Sequence, residues 1–356
     1  MNVYTIDHPH NEASALLAVQ NRELCWKRGW EVGFWIVSDE KPAGKALAAL
    51  GRLEKSAQWE VVGVKPRKGG RFTRKRVEDC ETLARAGSWM YIFGSQYGSK
   101  EGPLEPRRHF VARFNESLLE IDGSRIRTRM DLVRRPFVLH RLINDALREE
   151  SVELLPQSDD LQEAFVGITR AKGNEQKKKW AALVQPGDVP INIEGATFLP
   201  AGSLLLGLRY PVSKAGRPIL IELEGIDRLF ERGEPSVIGV RVISNAGSTR
   251  APAGIRELDY AAGEIHLITG SLESAPEKSV LLQEHAESGR APNEHWLVPL
   301  REWPRGLIEV KGTRIRRFEG GANVEGIALQ AGRFWYVHDD ERIRLEVDET
   351  RAKRRA

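Results

Sequence analysis

Short apolar runs broken by glycine-containing turns recur along the chain, and they recur in pairs. Asn192-Ile193-Glu194-Gly195-Ala196-Thr197-Phe198 is followed by Ala201-Gly202 and then by Leu204-Leu205-Leu206-Gly207-Leu208-Arg209. Asn323-Val324-Glu325-Gly326-Ile327-Ala328-Leu329 is followed by Ala331-Gly332 and then by Phe334-Trp335-Tyr336-Val337-His338-Asp339. Each pair reads as two strands joined by a tight turn, where glycine accepts the positive φ that a hairpin needs. Two weaker copies follow the same order. One is Ile255 to Tyr260, Ala262-Gly263 and Ile265 to Ile268; the other is Cys80 to Ala84, Ala86-Gly87 and Trp89 to Phe93. A fifth, more distant copy joins Ala15-Leu16-Leu17-Ala18 to Phe34-Trp35-Ile36-Val37-Ser38-Asp39 through a longer connection.

The copies are spaced for a repeat. Glu194 and Glu257 are 63 residues apart, Glu257 and Glu325 are 68 apart, and Ala15 and Glu81 are 66 apart. A four-stranded propeller blade takes roughly 40–50 residues, so each interval holds one blade plus loops. Outer strands are expected at Pro218–Leu223 and Ser236–Val242, at Ser279–Leu282 and Leu307–Val310, and at Phe110–Phe114 and Arg125–Arg129. The last copy has only Arg342–Val347 after its hairpin, and Val3–Ile6 is expected to supply the missing strand and close the ring.

Glu81 and Glu194 stand 113 residues apart, and the extra length has a different pattern. Phe137, Leu139, Leu142, Ile143 and Leu147 fall at helical spacing, and Asp159-Asp160 suit the first turn of a second helix. The expectation is an all-β chain: one β-propeller of five four-stranded blades over 1–135 and 191–348, a helical insertion over 136–190, and a basic tail over 349–356. A sixth, degenerate blade hidden in 136–190 is the alternative.

With those residues in hand, the chain resembles the bacterial family labelled domain of unknown function 3616. The resemblance is carried by Asn192-Ile193-Glu194-Gly195, Gly207-Leu208-Arg209-Tyr210-Pro211, Gly254-Ile255-Arg256-Glu257-Leu258 and Asn323-Val324-Glu325-Gly326. It implies a propeller related to esterase-like phytase domains and no particular activity. The chain has Glu257 where that family usually has Asp, and Cys80-Glu81-Thr82 lacks the usual glycine.

Composition narrows the function classes. A hydrophobic content of 41% with 29% charged residues excludes a wholly disordered chain. The net charge of +4 is that of the Arg351-Ala352-Lys353-Arg354-Arg355 tail, and no basic stripe with interleaved aromatics suggests nucleic acid. Cys25 and Cys80 form neither a metal pair nor a disulfide framework. With neither a secretory leader nor an 18-residue apolar run, the expected compartment is the cytoplasm.

Candidate chemistry centres on Glu81, Glu194, Glu257 and Glu325, which occupy equivalent repeat positions and so are expected on a ring around the axis. Such a ring could hold a hard cation such as calcium, or each glutamate could fix blade packing. Arg209 and Arg256 are expected to pair with these acids or to grip an anionic ligand. Asp39-Glu40 and Asp339-Asp340-Glu341 end second strands, so one rim could be acidic. His338 and its neighbour Asp339 point to opposite faces of a strand, so Asp339 does not orient the imidazole. His8 and His10 would share a strand face but lack further ligands for a metal. Lys177, Lys178 and Lys179 beside Trp180 suggest a docking site for an acidic protein surface. No nucleophile elbow, P-loop or zinc-protease motif is present. The expected function is a non-catalytic binding or protein-interaction scaffold. The second reading is a cation-dependent hydrolase of phosphate or carboxylic esters.

Overall fold

The structure is a computed structural model. It describes residues 2–6, 13–39, 41, 43–67, 77–123, 125–273, 279–300, 303–319, 323–340 and 342–348. The chain is all-β with five sheets and a helical segment, and the sheets are arranged in a propeller-like ring. Sheet 1 runs outward from Ala15–Ala18 through Trp30–Val37, Ala48–Leu53 and Trp59–Pro66. Sheet 2 is Cys80–Ala86, Trp89–Gly94, Val111–Asn115 and Met130–Val133. Sheet 3 is Asn192–Phe198, Leu204–Tyr210, Ile219–Glu224 and Ser236–Ile243. Sheet 4 is Ala253–Ala261, Glu264–Ser271, Glu294–Pro299 and Thr313–Arg317. Sheet 5 is Val324–Gln330, Arg333–His338, Ile343–Asp348 and Asn2–Ile6. The first strand of each sheet neighbours the first strand of the next, and that of sheet 5 neighbours that of sheet 1.

The turns follow the expected chemistry. Ala262-Gly263 and Ala331-Gly332 both carry positive φ at each position (52° and 85°, 52° and 71°), as a two-residue hairpin loop with the strand twist requires. The long connection in sheet 1 holds a helix, Arg22–Arg28, started by the Asn21 side chain and ended by Gly29 at φ 67°. Ring closure is also as expected: Asn2–Ile6 pairs antiparallel with the strand Ile343–Asp348.

Side-chain alternation builds the core. Successive residues of a strand face opposite sides, so each sheet feeds two interfaces. Phe34 packs with Trp335 between sheets 1 and 5, while Trp35 packs with Phe114 between sheets 1 and 2. Leu205 joins Ile255 and Leu267 between sheets 3 and 4, and Leu206 joins Phe93 between sheets 2 and 3. The layer between sheets 4 and 5 is smaller and partly polar. There His266 Nδ1 meets His295 Nε2 at 3.0 Å, and His295 Nδ1 meets the Tyr336 hydroxyl at 3.0 Å. Trp35 and Trp335 are core residues between sheets, and Trp89 lies under Arg113 at the edge of its layer.

Three expected strands differ. Arg125–Thr128 does not complete its own sheet but pairs parallel with Trp59–Pro66 of sheet 1, and Met130–Val133 takes the outer place in sheet 2. Gly306–Val310 likewise pairs parallel with Ser236–Ile243 of sheet 3. An apolar run signals a strand but not the edge it joins, and a parallel partner needs a crossover that only the tertiary path supplies. Ser279–Leu282 belongs to a helix, Val280–Glu284, with Ser279 accepting from Leu282 N; Glu294–Pro299 is the third strand of sheet 4. A four-residue apolar run does not separate helix from strand.

Residues 136–190 are helical and irregular and contribute no strand to any sheet. The helix Val138–Glu149 buries Leu139, Ile143 and Leu147 against sheet 3. Asp188 anchors it by accepting from Arg141 at 2.9 Å and Arg148 at 3.2 Å. Burial raises the Asp188 carboxyl, but bonds from His140 and Gln185 N and the Arg141 charge outweigh it and hold the group below its ordinary value.

Deleting residues 1–6 is expected to remove the closing strand, with buried Ile6 and the stacking of Tyr4 on Trp335. A loss of about 3–5 kcal/mol would lower Tm by roughly 10 °C in differential scanning calorimetry. An unshifted Tm would show that this pairing does not hold the ring closed.

Candidate functional site

The inner strands carry a repeated irregularity, and it decides which side chains reach the axis. In sheets 2, 3 and 5 the first strand bulges by one residue, at Glu81, Glu194 and Glu325. A bulge leaves its extra residue unpaired and re-aims the side chain. In sheet 4 the bulged residue is Arg256, because Ile255 pairs with Thr269 and Glu257 with Ile268. Glu257 is therefore not a member of the glutamate ring; it is one residue out of phase, and an arginine takes the place of the fourth acid. Glu257 instead stands at the position of Gly195 and Gly326, buried, where its carboxylate accepts from Thr82 Oγ1 and Leu258 N, each at 2.9 Å. Burial pushes this carboxyl well above its usual range. Gly195 marks how closely the inner strands approach, since a Cβ there would lie 2.8 Å from Leu258 and 3.0 Å from Ile255.

Arg256 is 2% exposed and spans two sheets. Its Nη1 lies 3.2 Å from Glu194 Oε2, and its Nη2 donates to Glu325 and, at 3.2 Å, to Asn323 Oδ1. Arg209 binds the other oxygen of Glu194 at 2.7 Å and the Ser271 carbonyl at 3.2 Å. Both arginines thus pair with glutamates, the first of the two uses expected for them.

Two residues before each bulged glutamate stands a further polar group. Asn192 donates to Glu194 at 3.2 Å, and Asn323 donates to Glu325 at 3.3 Å and to Asp339 at 2.6 Å. Asp79 accepts from Ser95 and from Arg108 at 3.1 Å, and bonds to Glu81. This Asp/Asn-x-Glu spacing is visible in the sequence as Asp79-Cys80-Glu81, Asn192-Ile193-Glu194 and Asn323-Val324-Glu325, but only the bulge makes the two side chains converge.

At one end of the axis these groups line a cavity of about 600 Å³. Eight carboxylates reach it, from Asp39, Asp79, Glu81, Glu101, Glu194, Glu273, Glu325 and Asp339, against three cations, Lys100, Arg108 and Arg209. Tyr97, Tyr210 and Leu272 add less polar wall. Burial, and then the charges of Asp79, Glu194 and Asp39, push Glu81 well above the ordinary 4.5. Asp79 is raised by burial against the opposing pull of Arg108. Among the described residues, no group of three or more His, Cys, Asp or Glu is arranged to hold a metal ion.

The other candidates lie elsewhere. Lys177, Lys178 and Lys179 are exposed at the end of the helical segment. Trp180 packs inward, 4.7 Å from Phe137 and against Gly173, so it is not the free anchor expected beside them. His338 turns away from Asp339 to Glu346 at 3.1 Å. Glu40, Glu341, His8, His10 and the 349–356 tail lie outside the described residues. Sequence reading missed Asp79, Tyr97, Lys100, Arg108 and Glu273 as cavity residues; the last four come from loops and strand ends with no repeat signature.

A ring of mainly antiparallel sheets around a polar axial cavity places the chain among all-β, propeller-like proteins. No family model matches the chain, and no curated protein matches it. Solved structures similar to it include glutaminyl cyclase of Myxococcus xanthus, at 12% identity over 97% of this chain and 96% of that one, with a TM-score of 0.36. A glucose dehydrogenase shares 10% identity over 97% and 98%, with a TM-score of 0.40. An exo-1,5-alpha-L-arabinanase from a bovine ruminal metagenomic library shares 8% over 97% of each chain, also at 0.40. At these scores the likenesses carry no argument about chemistry.

Two outcomes test the network. Arg256→Met removes the arginine of half-buried Glu325 and leaves buried Glu194 to Arg209 and Asn192, and is expected to cost about 3–5 kcal/mol in urea unfolding, whereas a loss below about 1 kcal/mol would mean the carboxylates are solvated instead. Glu81 holds its proton to higher pH in the folded state than in the unfolded chain, which ionises near 4.5, so its contribution falls as pH rises above that value. Glu81→Gln should therefore match the parent in Tm near pH 4 and exceed it at about pH 8. Superimposed Tm curves across that range would remove the assigned protonation.

Proposed function

We propose that this protein is a five-bladed β-propeller that binds a small cationic ligand in its axial cavity, without covalent chemistry. The observation that carries this reading is the acidic excess of the cavity: among the described residues, eight acidic side chains face three cations in a space of about 600 Å³. Low-dielectric walls around charges of one sign focus the field and concentrate counter-ions. The volume suits a small molecule, since ligand pockets are commonly about 300–1,000 Å³. The five-blade reading is supported by five sheets, among the described residues, whose inner strands neighbour one another in turn.

Arg256 supports cation binding rather than anion capture, because Glu194 and Glu325 enclose it. Arg209 gives Nη1 to Glu194 and Nε to a carbonyl, which offsets part of its charge, while its Nη2 has no partner among the described residues. The repeat itself sets three acids in the lining, Asp39 and Asp339 on the rim and Glu81 at the axis. The expectation of a binding scaffold thereby gains a location and a charge preference.

Isothermal titration at about pH 7.5 and low salt, with calcium, magnesium, 1,4-diaminobutane and phosphate as separate titrants, tests this reading. At least one cation is expected to bind one to one, with affinity falling as salt screens the field. Phosphate binding, or silence from every cation, would overturn it.

A further inference from the structure

One unsatisfied acceptor in the cavity wall narrows the kind of cation. Asn192 is 8% exposed and lines the cavity. Its Nδ2 donates to Glu194, which fixes the amide so that Oδ1 cannot turn to that carboxylate. Oδ1 is buried and has no donor among the described residues. A buried acceptor left unmatched is costly, and a ligand N–H supplies what it lacks. A bare metal ion fits less well. Calcium takes 6–8 oxygens at about 2.3–2.6 Å, and magnesium demands a tight octahedron. Here the carboxylates are spread around the cavity, with Glu194, Glu325 and Asp79 already tied to arginines. An ammonium group asks for three acceptors in a looser arrangement. Tyr97, Tyr210 and Leu272 offer surface to a carbon skeleton, which a metal ion would not use.

We infer that the ligand is an organic primary amine, bound as its ammonium, with one nitrogen seated between Glu81 and Asn192. This deepens the reading of the cavity as a cation site and rests on it. The seat explains the carboxyl pair beside it. Glu81 faces Asp79, Glu194 and Asp39 as acids and Arg209 as its base, while Asp79 faces Arg108. Burial and these like charges raise both Asp79 and Glu81, so the pair holds a proton to higher pH than either acid would alone. An arriving ammonium places a positive charge where that proton sits. The carboxyl proton passes to solvent, the ammonium keeps its own, and binding releases one proton.

Titration with 1,4-diaminobutane, choline and calcium at about pH 7, each in two buffers of different ionisation enthalpy, tests the inference. The diamine is expected to bind at least about tenfold tighter than choline, which has the charge but no N–H, and than calcium. Its heat should differ between buffers by about one proton released per site. Asn192→Ser should weaken the diamine about tenfold and leave choline unchanged. Glu81→Gln, which keeps the shape of the site, should abolish the buffer difference, and this arm stands even if the Asn192 variant folds poorly. Calcium binding more tightly than the diamine would overturn the inference and leave the cation reading intact. Equal binding of choline and the diamine would do the same. Binding of none of the three would overturn both.

Discussion

Arg256 is the interaction on which the centre of this molecule depends. A guanidinium at 2% exposure is tolerable only if carboxylates surround it, and Glu194 and Glu325 come to it from the two neighbouring sheets. The pairing is what allows three inner strands to bring charged side chains to a crowded axis. It also sets the limits of the cavity above it. Glu194 is saturated by Arg256, Arg209 and Asn192, so it serves as wall, whereas Glu81 is set chiefly against other acids, with Arg209 the weakest of the charges acting on it.

Away from the axis the structure is held by apolar layers pinned by a few buried charges. Glu116 is the clearest of these. Its Oε1 accepts from Gln20 N at 3.0 Å, Asn21 N at 3.2 Å and Trp35 Nε1 at 2.8 Å, and Oε2 pairs with Arg85 at 2.9 Å. One carboxylate thereby fixes the entry to the helix Arg22–Arg28, the Trp35 ring and the junction of sheets 1 and 2. Asp188 does the same for the helical segment. The two parallel strands, Arg125–Thr128 and Gly306–Val310, complete the frame by stitching one sheet to the outer edge of the sheet before it. The rim loops and helices are thus tied to a rigid ring, which is the condition for a preformed cavity.

The repeat was legible in the sequence because hairpins write it locally. Ala-Gly turns, alternating apolar residues and spacings of 63 to 68 residues are short-range properties, and they specified the inner hairpins, the closing strand and the helical stretch. The glutamates at Glu81, Glu194 and Glu325 were visible for the same reason. Glu257 shows where this fails. By sequence it lines up with the others, but the bulge in its strand falls one residue earlier and sends Arg256 to the axis in its place. A side-chain period of two makes a one-residue slip decisive, and residue identity does not record it.

The sequence by itself therefore determined an all-β repeat chain with a helical interruption, and which residue types could meet at its centre. Only the tertiary structure decided that the axis holds an arginine between two glutamates, that Asp79 joins Glu81, and that Lys100, Arg108 and Glu273 come to the same cavity from distant loops. The physical reason is range. Turns and alternation follow from backbone sterics over a few residues, whereas burial, charge pairing and the protonation of a carboxyl depend on which groups the closed ring brings within a few ångströms.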